Sequence, residues 1–215
     1  MNMQTFRDQR RTPWRALAAC AAVFAIAGCA TTAPELPEPA ATISVQEEVG
    51  FSIIEEVAVG DAVRLQYDDA LRLLEQGMVD EGIAALIAVT EAAPSLALAQ
   101  IDLGIAYHVA GDLEAAERHL RKAIELNNAH PIAHTELGIV LRKAGRFDEA
   151  RQSYEAALDI FPGYHHARRN LAILCDLYLG DLDCAIGNYE AYMATVPGDE
   201  EVEMWMADVR YRIGQ

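Results

Sequence analysis

Residues 97–164 repeat themselves after 34 positions, and this period constrains the fold more than any other feature of the chain. Aligning ALAQIDLGIAYHVAGDLEAAERHLRKAIELNNAH with PIAHTELGIVLRKAGRFDEARQSYEAALDIFPGY places Leu103-Gly104 on Leu137-Gly138 and Gly111 on Gly145. It also places Ala116 on Ala150, Leu120 on Tyr154 and Ala123 on Ala157. Chance does not hold so many special positions in phase. In the first unit Ile101, Leu103 and Ile105 read as a helix that a glycine then ends. Leu113, Ala116, Leu120, Ala123 and Ile124 form the apolar stripe of a second, amphipathic helix. Small residues at Gly104 and Ala116 let the two helices approach closely, so each unit is expected to be a helical hairpin.

The phase extends in both directions. Counting back reaches Val63, with Ala70 and Gly82 at the small positions, Gly77 at the turn, Leu86 at the large apolar position and Pro94 closing the unit. Asp69 stands where the other units have leucine. Counting forward, Leu171-Ala172 replace Leu-Gly, and Cys175 takes the tyrosine position. One residue is inserted near Leu179-Gly180 before Ala185, Tyr189 and Pro197 resume the pattern. Residues 200–214 read as a lone last helix bearing Met204, Met206, Ala207, Val209 and Ile213, a cap for the final apolar face. The L-G-x-x-Y…A-x-x-x-F…P pattern, with Tyr107 in one unit and Pro162 in the next, resembles the tetratricopeptide repeat. The resemblance implies an all-α fold, a right-handed superhelical solenoid of about four hairpins. They occupy 63–96, 97–130, 131–164 and 165–199, followed by a capping helix over 200–215.

The first 28 residues read as a removable leader. Arg7, Arg10, Arg11 and Arg15 precede an apolar run, Ala16 to Ala27, that is too short to span a bilayer comfortably. The run ends in Ile26-Ala27-Gly28-Cys29, which resembles the lipobox of bacterial lipoproteins. That likeness implies cleavage before Cys29 and acylation of its thiol and new amino group. Leu17-Ala18-Ala19-Cys20 fits a loose lipobox too, but leaves almost no apolar stretch after Arg15. Arg10-Arg11 hints at twin-arginine export, yet Thr12-Pro13-Trp14 matches that signal poorly. Ala30, where an aspartate would favour inner-membrane retention, implies a periplasm-facing anchor in the outer membrane of a Gram-negative bacterium. Residues 29–42 form the lipidated cysteine and a Pro-rich tether. Residues 43–62 follow as a docking segment whose mixed periodicity fits either a strand or a helix. Its apolar residues are expected to pack on the solenoid.

From Cys29 onward 13 basic side chains face 32 acidic ones, a net charge of −19. Such a balance opposes binding to nucleic acid or anionic lipid. Membrane attachment is therefore assigned to the acyl chains on Cys29. No G-x-S-x-G, H-E-x-x-H or phosphate-binding glycine loop is present, and the chain is read as no enzyme, with no cofactor, metal or small-molecule substrate. His130, His134, His165 and His166 are read as surface histidines. Cys175 falls late in the first helix of the fourth unit and Cys184 early in the second, side by side across a short turn. In an oxidising periplasm this favours a disulfide over two buried thiols.

In tetratricopeptide arrays four positions of each first helix line the concave groove. Carried over, they are Arg64, Tyr67, Leu71 and Leu74, then Leu98, Ile101, Ile105 and His108. The third unit contributes Ile132, Thr135, Ile139 and Arg142, and the fourth His166, Arg169, Ile173 and Asp176. This implies an apolar floor with a basic end near Arg142 and Arg169, where Lys143, Arg146 and Arg168 lie close by. The expected function is a lipid-anchored scaffold that holds a protein or peptide partner in this groove. It is similar to repeat lipoproteins that support envelope assemblies such as pilus secretins or TonB-like systems. A regulator of peptidoglycan synthesis fits equally well. An enzyme or glycan-binding protein of the cell wall would need a carboxylate pair or aromatic platform in the groove.

Overall fold

The computed structural model describes the backbone of residues 41–45 and 51–55, and residues 59–215 in full. The leader, Cys29 and most of the tether lie outside the described residues. Two strands, β1 (Ala41–Val45) and β2 (Phe51–Glu55), pair antiparallel with Ala41 opposite Glu55 and Val45 opposite Phe51. Within the segment left open between strand and helix, residues 43–45 and 51–55 are thus paired strands, in keeping with the β-branched content of ATISV and FSIIE. The side chains that would dock this segment on the solenoid fall outside the described residues.

Nine α-helices follow among the described residues. They are α1 (Asp61–Glu75), α2 (Val79–Ala92), α3 (Ala97–Ala110), α4 (Leu113–Leu126), α5 (Pro131–Lys143), α6 (Phe147–Ile160), α7 (His165–Leu174), α8 (Leu182–Thr195) and α9 (Glu200–Ile213). Four hairpins, α1–α2 through α7–α8, stack in chain order with α9 on the last, an all-α helical-repeat solenoid. No helix among the described residues is long and apolar enough to cross a membrane.

Each turn shows why its glycine is there. Gly77, Gly111 and Gly145 take positive φ (78°, 88° and 76°), a region closed to most side chains. The amide one residue later then reaches back to the preceding helix: Met78 to Leu73 O (3.0 Å), Asp112 to Tyr107 O (3.0 Å) and Arg146 to Leu141 O (2.9 Å). The second helices start on side-chain caps where the sequence supplies them. Asp112 accepts from the Ala115 amide (2.9 Å) and Asp181 from the Cys184 amide (3.1 Å). Within the hairpins, close approach explains the small residues. A Cβ on Gly104 would sit 2.6 Å from Leu120 Cγ, and one on Gly138 would sit 2.5 Å from the ring of Tyr154.

The fourth hairpin departs from this template. After Leu174 the first helix widens into a π-helical turn, Cys175–Leu179, before Gly180 (φ 65°) closes it. The amide of Asp181 now bonds Cys175 O (2.9 Å), one residue further back than in the other turns. The inserted residue, expected near Leu179-Gly180 from sequence, is absorbed inside the helix just before that point, as π turns absorb single insertions.

The core runs unbroken along the stack. Leu86, Leu103, Leu120, Tyr154, Leu174 and Tyr189 are all essentially inaccessible to solvent. Polar bonds cross each joint as well. Tyr67 donates to Asp102 between the first and second hairpins. Arg146 pairs with Glu117 (2.7 Å) between the second and third, and Arg151 with Asp181 (2.7 Å) between the third and fourth. Arg212 of α9 pairs with Asp176. On α9 the buried stripe is Val202, Met206 and Val209, whereas Met204 and Ile213, expected to face inward, are exposed.

Candidate partner-binding face

The groove positions inferred from sequence lie on the first helices α1, α3, α5 and α7, and successive first helices touch directly (α3 with α5, α5 with α7). That contact closes much of the expected floor. The Tyr67 hydroxyl is engaged by Asp102, and both side chains are buried. Ile101 is fully buried, and Thr135 and Ile139 are nearly so. These side chains fill the joints between neighbouring first helices, so Tyr67, Ile101 and Ile139 cannot meet a partner. Leu71, Ile105 and Ile173 remain half-buried, packed against the core with one side open. Arg64 is paired with Asp61 (3.6 Å).

The basic end is also rearranged. Arg169 meets Glu201 (2.8 Å) at the start of α9 and lies 5.1 Å over the ring of Trp205. The cap thus takes up this guanidinium, and it is not free to share a carboxylate with Arg142. Arg146 lies between Glu117 and Glu149. Arg168 donates to Asn188 Oδ1 (3.0 Å) and Pro162 O (3.3 Å). Asp176, implied as a groove residue, is buried and accepts from Arg212 and from the Tyr189 hydroxyl (3.4 Å).

Arg142 differs from its neighbours. It donates to the Tyr178 hydroxyl (3.3 Å) and lies 5.5 Å over that ring. Burial pushes the nearby Tyr154 phenol up to about 12 against the pull of Arg142. Neither Arg142 nor the adjacent Lys143 meets a carboxylate among the described residues. Their field reaches the next helix: burial first, then Lys143 and Arg142, hold His108 down to about 4, so it is neutral at physiological pH.

The other histidines are more enclosed than expected. His130 is fully buried at the start of α5. His134 is half-buried and bonds Asn128 O (3.0 Å). The rings of His165 and His166 lie 4.2 Å apart against Tyr164, so they share a site instead of pointing to different faces. Burial holds His166 down to about 3, helped by His165 and Arg169. All four stand at or near hairpin junctions, where a short helix start is covered by the preceding unit.

Cys175 and Cys184 are joined, with Cα atoms 5.9 Å apart, linking the π turn to the first turn of α8. Asp181 lies beside both sulfurs, the one metal-like cluster of His, Cys and carboxylate groups among the described residues. The S–S bond leaves it no thiolate, and Asp181 is already held by Arg151 and the Cys184 amide, which keep its carboxyl below its ordinary value.

Comparison with known proteins agrees with this architecture. The tetratricopeptide repeat model matches residues 67–131, 110–165 and 135–200, together more than half of the chain. Among solved structures, MamA from Desulfovibrio magneticus RS-1 superposes with a TM-score of 0.64 at 22% identity, covering 73% of this chain and 88% of that one. PilF of Pseudomonas aeruginosa gives 0.65 at 21%, covering 71% and 69%. A thermophilic repeat protein of Thermus thermophilus gives 0.60 at 24%, covering 69% and 81%. At these identities the structural likeness speaks to the fold alone.

Proposed function

Because the chain belongs to the tetratricopeptide repeat family, whose domains mediate protein–protein interaction, we propose that it is a non-enzymatic scaffold held to the periplasmic face of the outer membrane by acyl chains on Cys29. In this reading it presents its first-helix face to a protein partner within a cell-envelope assembly. The observation that carries the partner-binding part is an asymmetry between the two faces. Across the second helices charges neutralise one another, as in Arg121–Glu117–Arg146–Glu149. On the first-helix face Arg142 and the exposed Lys143 instead meet no carboxylate among the described residues, and Leu71, Ile105 and Ile173 stand half-buried on the same face. The lipid anchor rests on the Ile26-Ala27-Gly28-Cys29 motif.

Site-specific photocrosslinking in intact envelopes tests the face. A crosslinker at position 105 should trap a discrete partner, whereas one at position 121, among the second helices, should not. Adducts confined to position 121 would reverse the assignment. Separately, Cys29→Ser should abolish acyl labelling and leave unprocessed precursor. An acylated outer-membrane product from that variant, or acylation at Cys20, would overturn the anchor.

A further inference from the structure

Most cations of the array are held in ion pairs. The chain carries 33 acidic and 17 basic side chains, and most arginines of the array meet a carboxylate. Arg118, Arg121, Arg146, Arg151, Arg169, Arg210 and Arg212 all do so. Arg142 and Lys143 are consecutive and meet none among the described residues. The nearest internal candidates are already committed. Asp176, one helix along, serves Arg212 and Tyr189, and Glu136 is buried.

Exposed apolar surface gathers at the same edge. Val109, Lys143 and Leu177 stand 34 residues apart, so stacking sets them in one row at the turn ends of α3, α5 and the π turn. Val109 is 54% exposed and Leu177 69%, among the most open large apolar side chains described. Beside Leu177, the ring of Tyr178 stands 4.9 Å from Phe147 and under the Arg142 guanidinium, still 43% exposed. Leu177 and Tyr178 lie within the π turn, between the two disulfide-bonded cysteines. The row therefore reads apolar, cationic, apolar on a rigid base.

We propose that this turn-side edge, Val109–Arg142/Lys143–Leu177/Tyr178, is the docking site for an acidic, extended peptide segment of a protein partner, with an apolar side chain next to its carboxylates. The proposal deepens the scaffold reading above and rests on it. Arg142 offers a planar fork to a carboxylate, and Lys143 offers a point charge beside it. Leu177 and Val109 accept apolar side chains on either flank. Three neighbouring helices at ~8–10 Å separation span roughly 20 Å, the reach of about six extended residues. His108, kept neutral first by burial and then by those same cations, can donate to or accept from the peptide without adding repulsion.

The test is fluorescence anisotropy of labelled synthetic peptides with the full chain. One peptide sets two leucines between aspartates, and its counterpart carries lysines in place of the aspartates. The acidic peptide should bind and weaken as salt rises, while the basic one should not bind. Lys143→Glu should lower affinity by about tenfold or more, and Leu177→Ser by several-fold. Both positions are surface ones, and circular dichroism checks that the helices persist. Equal binding of the two peptides, or unchanged affinity in both variants, overturns the proposal. Displacement of the peptide by phosphatidylglycerol vesicles of matched charge would also overturn it, in favour of a lipid surface. If position 105 still traps a partner after such a failure, the scaffold reading stands and only this edge is lost. If position 105 traps nothing, the scaffold reading fails on its own test.

Discussion

The third and fourth hairpins are built on one template and solve the same problems differently. In the third, α5 and α6 meet through Gly138, with the ring of Tyr154 lying where a Cβ would be. In the fourth, Ala172 fills that position, one more residue enters the first helix, and a π turn and a disulfide tie the two helices together. Charge diverges too. Arg142 of the third hairpin and Asp176 of the fourth are equivalent residues 34 apart, one half-buried over the Tyr178 ring and the other held inside by Arg212. The comparison teaches that hairpin closure can come from backbone proximity or from a covalent bond. The second route frees a turn to carry exposed side chains.

Breaking the covalent route should have the largest effect. Cys175→Ala/Cys184→Ala, which opens a link of sequence separation 9, should cost about 2.5 kcal/mol on the chain-entropy estimate. Hydrogen exchange should rise in α7 and α8 and stay unchanged in α5 and α6. Uniform acceleration would mean that the disulfide acts on the whole array. Gly138→Ala attacks the other route. Its Cβ would run into the Tyr154 ring, and overpacking of this kind costs about 1–3 kcal/mol in urea denaturation. The mirror change Ala172→Gly should cost about 1–2 kcal/mol, through helix propensity and the loss of one buried methyl. A neutral Gly138→Ala would show that the third hairpin is not closed by its contact with Tyr154.

The charge contrast can be sharpened by pH. His108 and His166 are held to about 4 and about 3 in the folded state, below the ordinary value of 6.5. Between that value and the folded ones the unfolded chain binds protons that the folded chain refuses. Stability should therefore be full above about pH 6.5 and fall as pH drops through this window. Lys143→Gln removes one cause and should raise the His108 pKa, read by NMR titration, while leaving His166 in place. Smallest of all, Tyr178→Phe removes one exposed hydrogen bond to Arg142 and should change stability by no more than about 0.5 kcal/mol.

The helical array is legible in the sequence because close packing dictates its marks. Gly104 against Leu120 and Gly138 against Tyr154 leave no room for larger residues, and the turn glycines must reach positive φ. The inserted residue can be located roughly from sequence but not assigned to helix or turn, since a helix can widen before its turn as readily as a turn can lengthen. The groove is less legible. Whether Ile101 opens to solvent or fills a joint depends on how closely α3 and α5 pack, which no residue type announces. Arg169 and Arg142 look alike in a helical wheel. Only the docking of α9 brings Glu201 and Trp205 to the first and leaves the second without a carboxylate. His130 reads as a surface residue because its neighbour Pro131 marks a helix start, yet that start is covered by the preceding hairpin.

The polar bonds that cross each joint have a mechanical consequence. A stack of hairpins held only by apolar contacts can slide and bend like a spring, since such contacts are non-directional. Here each joint also carries a latch, and the latches sit on different sides. Tyr67–Asp102 lies on the first-helix side, and Glu117–Arg146 among the second helices. Opening the first two hairpins toward the groove would stretch the former, and closing the curvature between the second and third would strain the latter. A stack latched on both edges resists flexing in both senses while its units stay individually soft. An array anchored by one end would then transmit a pull on its far end along its length, with little of it lost to recoil.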